Sequence, residues 1–153
     1  MRIGFGYDVH RLEAGYELVL GGVKIPHEKG CVAHSDGDVL IHAICDALLG
    51  AVNLGDIGKH FPDTDPAYKN IPSTRLLQGT MQMLNGEGYR VINLDTTICL
   101  QRPKLASYIE EMKDHLSGFL GTSAISIKAT TTEKLGFVGR EEGISSYAIV
   151  LIE

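Results

Sequence analysis

The sequence predicts an α/β fold, of the α+β sandwich kind, in which one layer of mixed β-sheet is covered by helices on one face. Three observations predict it. Stretches with a period of two alternate along the chain with stretches of helical period. The chain has 153 residues, 44% hydrophobic and 22% charged, a composition within the globular range and a length suited to a single domain over residues 1–153. No apolar run approaches the ~20 residues of a membrane-spanning helix.

Residues 2–10 alternate as a strand, and 17–25 read as a second strand broken by a turn or bulge at Gly21-Gly22. Ser35, followed three residues later by Asp38, reads as a helix N-cap with an acidic third position. Val39, Ala43, Ala47, Leu48 and Ala51 then recur at helical spacing, so a helix is predicted over 36–53. Residues 53–66 hold three Asp, two Gly and two Pro with neither period. Such a long loop inside a domain is functional or disordered. Ser73 reads as the cap of a second helix through Leu76, Leu77, Thr80, Met81 and Leu84, and residues 89–100 return to strand period. A third helix is predicted over 104–120, and a last pair of strands over 124–130 and 145–152.

The formal charge is −5, and no Lys/Arg cluster exists, which argues against nucleic acid as a partner. Three cysteines, Cys31, Cys45 and Cys99, at unrelated spacings fit neither a disulfide framework nor a Cys-x-x-Cys zinc site. The beginning of the sequence has the pattern of a strand and not of a signal peptide. A cytoplasmic protein without a membrane partner is expected.

Chemistry-bearing residues gather in a few places. Asp8 and His10, two apart on a strand, share a face. Alone the pair reads rather as two polar residues on a solvated strand face. His42 lies in the first helix with Asp38 and Asp46 four residues away on either side, an arrangement that suits either ordinary surface charge pairing or carboxylates orienting a metal-bound imidazole. Two histidines and one carboxylate would make a zinc site with a fourth position open, the pattern of a catalytic ion. His34-Ser35 at the predicted helix start is a candidate phosphate corner. Thr130-Thr131-Thr132-Glu133, ahead of a glycine-punctuated loop with Arg140, could hold a metal and a phosphate. There is no P-loop, dinucleotide fingerprint or nucleophile elbow. His27, His60 and His115 read as surface or loop histidines.

As a set, the segments Gly4 to Arg11, His34 to Val39 with His42, Asp56-Ile57-Gly58 running into Phe61 to Pro66, and Lys128 to Phe137 closely resemble the 2-C-methyl-D-erythritol 2,4-cyclodiphosphate synthases of the non-mevalonate isoprenoid pathway. The resemblance covers essentially the whole chain. It implies a homotrimer whose sheets face the threefold axis, with active sites between neighbouring subunits. It also implies a lyase reaction. The 2-phosphate of 4-diphosphocytidyl-2-C-methyl-D-erythritol 2-phosphate attacks the β-phosphorus of its own diphosphate and expels CMP.

By the same resemblance, Asp8, His10 and His42 are zinc ligands, and Glu133 is the protein ligand of a Mg²⁺ or Mn²⁺ on the diphosphate. His34 and Thr131 match positions of transition-state stabilisation. Asp8, His10, His34, Ser35, Asp56, Ile57, Gly58, Phe61, Pro62, Asp63, Thr64 and Asp65 match substrate-binding positions around the methylerythritol. Leu100, Gln101, Arg102, Pro103, Lys104, Leu105 and Ala106 match the cytidine and diphosphate pocket of the adjoining subunit. Thr130, Thr131, Thr132, Glu133, Phe137 and Arg140 match further binding positions. The resemblance is consistent with the charge, because two divalent ions supply +4 beside a protein of −5. The nucleophile is carried by the substrate, so no serine or cysteine nucleophile is needed. Some relatives hold an isoprenoid diphosphate in an axial cavity through the Arg140 position and a glutamate. Tyr147 replaces that glutamate here, which argues against the site. Phe5, Tyr7 and Leu100 are further departures.

A zinc-dependent hydrolase of a small phosphorylated metabolite and a non-catalytic trimeric binder of isoprenoid diphosphates remain as other readings. The strand residues Ile127, Ile149 and Leu151 predict apolar sheet surface that one helical layer leaves uncovered, and hence an oligomer.

Overall fold

The computed structural model describes residues 1–62, 64–68 and 70–153. Its elements are β1 (Arg2–Ala14), β2 (Leu18–Leu20), β3 (Val23–Ile25), β4 (Lys29–Val32), α1 (Val39–Ala51), α2 (Ile57–His60), α3 (Ser73–Gly86), β5 (Val91–Cys99), α4 (Ile109–Leu120), β6 (Ile125–Thr130), α5 (Gly136–Gly139) and β7 (Gly143–Ile152), with 3-10 turns at Pro66–Tyr68 and Ala106–Tyr108. Five strands form one mixed sheet in the order β4-β1-β7-β5-β6, in which only β5 and β6 run parallel. The hairpin β2-β3 stands apart.

Strand β1 runs past the predicted end because Leu12 and its neighbours pair with β4, as in Leu12 opposite Cys31. The four-residue β4, with a glycine and no alternation, carries no period of its own. Residues 18–25 form a hairpin of two strands, its turn made by Gly21 and Gly22 at positive φ. The predicted last pair, β6 and β7, share the sheet without touching, because β5 lies between them.

Helix α1 is buried except at Asp46 and Gly50, as befits a helix apolar nearly all round. It packs on β1 and β7 on one side and on α3 on the other. It begins three residues later than predicted. Gly37 takes a left-handed φ of +72°, and Asp38, not Ser35, is the N-cap, accepting from the Ile41 amide at 3.0 Å. The Asp38 carboxylate also accepts from the Gly21 and Gly22 amides at 3.0 and 2.6 Å. One side chain therefore caps the helix and pins the β2-β3 turn.

The close fit of α1 on β1 depends on Gly4 and Gly6. A Cβ at Gly4 would lie 1.8 Å from the Ala47 carbonyl oxygen, and at Gly6 1.9 Å from that of Ala43. Both glycines face the helix, and by strand alternation so do Asp8 and His10. Ile3, Phe5, Tyr7 and Val9 face the other way and are exposed, Ile3 by 71% and Phe5 by 61%. Tyr147, opposite Tyr7 with ring centroids 5.0 Å apart, and Ile149 continue this apolar surface on β7. Ile149 is exposed and Leu151 half-buried as predicted, but Ile127 is buried at 8% because its side of β6 packs under α4.

Candidate functional site

Where β1 passes beneath α1, three side chains meet. Asp8 Oδ2 lies 3.0 Å from His10 Nε2 and 3.0 Å from His42 Nδ1, and the two nitrogens are 2.9 Å apart. The ring planes are nearly perpendicular. Burial works against ionisation of Asp8, but hydrogen bonds from both histidines outweigh it and hold the carboxyl well below the usual range. His42, buried in α1, is subject to burial that would lower its pKa, and the Asp8 hydrogen bond and charge raise it above 6.5.

Two imidazole nitrogens and a carboxylate oxygen at these spacings suit a divalent cation. Tetrahedral zinc with bonds of 2.0–2.1 Å sets its ligand atoms roughly 3.3 Å apart, and the triangle here is only slightly tighter. This is the one cluster of three such ligands among the described residues. The carboxylates predicted to flank His42 serve elsewhere. Asp38 takes the amides described above, and Asp46 accepts from the Ile57 amide at 2.8 Å. The outer His42 nitrogen, Nε2, instead faces Ser35 Oγ at 3.1 Å and Ser73 Oγ at 2.9 Å.

A cavity of about 350 Å³ opens beside the triad. It is lined by Asp8, His10, His34, Ser35, His42, Ile57, Gly58 and Phe61 of the predicted site, together with Val32, Ala33, Tyr68, Ile71 and Leu76. The His34 Nε2 atom is buried and has no hydrogen-bond partner among the described residues. His34 and Ser35 precede the helix by a turn, so the predicted anion corner at the first amides of α1 is not formed there. Asp56 caps the short α2 through the Lys59 amide at 3.0 Å. Together with Pro62, Thr64 and Asp65, it stands outside the cavity wall. Asp63 lies outside the described residues. Phe61 and Tyr68 pack edge to face at 5.5 Å and close one end.

Several of the other predicted residues line a second cavity. Leu100, Gln101, Pro103, Lys104, Leu105, Ala106, Thr130 and Thr131, with Ile109, Ile127 and Ala129, line a cavity of about 290 Å³. Thr131 Oγ1 donates to Glu133 Oε1 at 3.0 Å, and Glu133 holds a φ of +53°. Glu133 presents a single exposed carboxylate and joins no three-ligand cluster. Thr132 Oγ1 donates to the Leu135 carbonyl at 2.6 Å. Phe137 is half-exposed against Gly143, and Arg140 pairs with Glu142 at 3.0 Å. Arg102 turns away from the cavity to a two-bond pair with Glu141 at 2.7 Å.

Along the ladders Val9 faces Ser145, Ser145 faces Cys99, and Cys99 faces Thr130. Thr130 therefore sits three strands from β1, about 14 Å at the usual strand spacing. Within one chain the two cavities share no residue. Cys31 and Cys45 are no part of either chemistry as nucleophiles, since burial pushes their thiols up to about 12. Sequence reasoning missed Tyr68, Ile71, Leu76, Asp36 and Ser73. Ser73 had the signal of a helix cap, but α3 begins at Ser73 itself with Pro72 before it and no side-chain cap. Its hydroxyl is engaged by the site.

Comparisons with known proteins show what the chain is similar to. A curated relative from Syntrophotalea carbinolica, named 2-C-methyl-D-erythritol 2,4-cyclodiphosphate synthase, is 61% identical over 154 residues, covering 99% of this chain and 94% of its own. The structure of the bifunctional IspDF from Campylobacter jejuni superposes with a TM-score of 0.94 at 42% identity, over 99% of this chain. This chain spans 42% of that bifunctional protein. A 2C-methyl-D-erythritol-2,4-cyclodiphosphate synthase in its CDP-bound form gives a TM-score of 0.92 at 38% identity, covering 99% of this chain and all of the other. The profile of the YgbB family matches residues 1–153, and the chain belongs to that family.

Proposed function

We propose that the chain is a cyclodiphosphate synthase that converts 4-diphosphocytidyl-2-C-methyl-D-erythritol 2-phosphate to 2-C-methyl-D-erythritol 2,4-cyclodiphosphate and CMP. The observation that carries this reading is the Asp8, His10 and His42 triad at the wall of a cavity that His34 and Ser35 also line. It is supported by relatives that carry this activity as their name and by a CDP-bound family member. An oxygen of the 2-phosphate forms a bond to the β-phosphorus, and the bond from that phosphorus to the bridging oxygen breaks. The oxygen leaves on CMP, so no outside nucleophile or redox partner is required.

Asp8, His10 and His42 would hold Zn²⁺, and Glu133 would hold Mg²⁺ or Mn²⁺ with the diphosphate. Bound there, the divalent ions would draw charge from the phosphate oxygens and so favour the crowded transition state. His34 directs its free nitrogen, and Thr131 its hydroxyl, at phosphate oxygens whose charge grows during transfer. Ser35, Asp56, Ile57 and Gly58 hold the methylerythritol, with Phe61, Pro62, Asp63, Thr64 and Asp65 beside it. The apolar wall of Ile57, Phe61, Tyr68, Ile71 and Leu76 keeps water from the β-phosphorus. Leu100, Gln101, Arg102, Pro103, Lys104, Leu105 and Ala106, with Thr130, Thr132, Phe137 and Arg140, receive the cytidine and diphosphate.

Because the two cavities share no residue in one chain, the working site joins the triad of one subunit to the nucleotide pocket of the next. The exposed apolar face of β1 and β7 supports a homotrimer in which the sheets meet on the threefold axis. Cytoplasmic isoprenoid precursor synthesis is the setting this chemistry fits.

Turnover in H₂¹⁸O separates this reading from hydrolysis at the same open metal position. The cyclase leaves CMP and the cyclic product free of solvent oxygen. Solvent ¹⁸O in a phosphate product would establish the hydrolase instead.

A further inference from the structure

The hydrogen bonds behind the triad determine where the His42 proton sits. Ser73 is fully buried at the first residue of α3. Its amide donates to Asp36 Oδ2 at 3.0 Å, and its hydroxyl donates to Asp36 Oδ1 across a short bond. An ionised carboxylate is an acceptor only, so the single Ser73 proton is committed to Asp36. The lone pairs of the same oxygen then face His42 Nε2 at 2.9 Å. Nε2 must be the donor in that contact, since a bare nitrogen there would set lone pair against lone pair in a buried place. Ser35 Oγ, which accepts the Gly37 amide at 3.2 Å, stands 3.1 Å from the same nitrogen.

A neutral imidazole carries one N–H. Nδ1 faces the Asp8 acceptor oxygen and His10 Nε2, so a proton on Nδ1 is the one a divalent cation would replace, while the proton on Nε2 remains.

We propose that Ser73 and Asp36 are positioning residues that hold the His42 proton on Nε2, so that Nδ1 is the nitrogen given up to a divalent cation. The carboxylate charge, passed through the hydroxyl, also makes Nδ1 a better electron donor. The inference rests on reading Asp8, His10 and His42 as metal ligands. The same clamp orders the cavity wall, because the Asp36 amide donates to the Ile71 carbonyl at 3.2 Å and the Asn70 amide to that of His34 at 2.8 Å. A purely structural role for Ser73 is therefore the alternative to be tested.

The test uses the full chain, labelled with ¹⁵N-histidine and loaded with zinc. The His42 Nε2 resonance is expected to show a directly bonded, slowly exchanging proton. Ser73→Ala is expected to weaken zinc binding, read by competition with a chelator, about 10- to 100-fold, and to speed exchange of that proton. In the zinc-loaded unaltered protein, a His42 proton found on Nδ1, or none on Nε2, overturns the proposal without any variant. Ser73→Ala binding zinc within twofold of the unaltered chain overturns it as well. A chain that binds no zinc defeats the metal reading itself. Loss of CMP formation with zinc affinity and tautomer intact leaves this inference standing and counts against the cyclase alone.

Discussion

Protons and a divalent cation compete for the same atoms of the triad, and the shifts of Asp8 and His42 give that competition a direction. In the metal-free protein, His42 is raised above 6.5 by its hydrogen bond and pairing with Asp8. Its contribution to stability is complete below 6.5 and is lost as pH rises through the raised value. Asp8 is lowered from 3.8, so its contribution is present above 3.8 and lost as pH falls further. The metal-free protein is therefore predicted to be less stable at about pH 8 than at about pH 6, while zinc, which needs the imidazole unprotonated, binds more tightly at the higher pH. Calorimetric melting with and without zinc should show the larger zinc-induced rise in Tm at about pH 8. An equal or smaller rise there would contradict the assignment. His42→Ala is predicted to lower both zinc affinity and CMP formation by more than about 100-fold, since it removes a ligand and not merely an outer partner. At this scale the sequence was partly legible. The Asp8-x-His10 spacing put two groups on one strand face, but nothing in the spacing said that His42 would arrive above them. Nor could it say that Ser73 and Asp36, 31 and 6 residues from His42, would hold its far nitrogen, because that depends on how α3 and the residue 33–38 segment dock.

Strand β1 and helix α1 approach so closely that the site depends on two missing side chains. Gly6→Ala would place a Cβ 1.9 Å from the Ala43 carbonyl oxygen and push the helix off the strand. A loss of about 3 kcal/mol or more is predicted, beyond ordinary overpacking because the clash is with backbone. Zinc affinity should fall with it, since the helix carries His42. Gly50→Ala on the same helix meets nothing within 4 Å and is predicted to be neutral or to stabilise by up to about 1 kcal/mol. Urea denaturation of the two variants checks both, and equal behaviour would refute the close-packing argument. The helix and the long strands were readable because their periodicity is the direct imprint of burial. Gly4-x-Gly6 was present in the sequence yet mute, because a glycine that admits a helix backbone looks like one that makes a turn. The short β4 and the start of α1 were hidden for a related reason, their limits being set by pairing with β1 and by the left-handed Gly37.

The whole molecule leaves one sheet face uncovered, with Ile3, Phe5, Tyr7, Val9, Tyr147 and Ile149 exposed, and its two cavities share no residue. The proposed homotrimer would cover that face and join the two cavities of neighbouring subunits. Phe5→Glu is predicted to yield monomers by light scattering that still bind zinc, because all three ligands lie in one chain, but that release no CMP. Zinc-binding monomers with full turnover would contradict a site shared between subunits. Mixing His42→Ala with Lys104→Ala subunits, each inactive alone, should regenerate sites in which both halves are intact, about a quarter of the total for random assembly into a closed ring. The uncovered face was foreseeable from apolar residues at alternate strand positions, but which of them stayed exposed was not, and Ile127 turned out buried beneath α4. The central claim is the cyclisation, and ³¹P NMR of the zinc- and magnesium-loaded protein with 4-diphosphocytidyl-2-C-methyl-D-erythritol 2-phosphate tests it most directly. The account predicts a pair of coupled diphosphate resonances from a cyclic product, growing in step with one equivalent of CMP. An unchanged substrate spectrum, or CMP released with an open-chain phosphate, would contradict it.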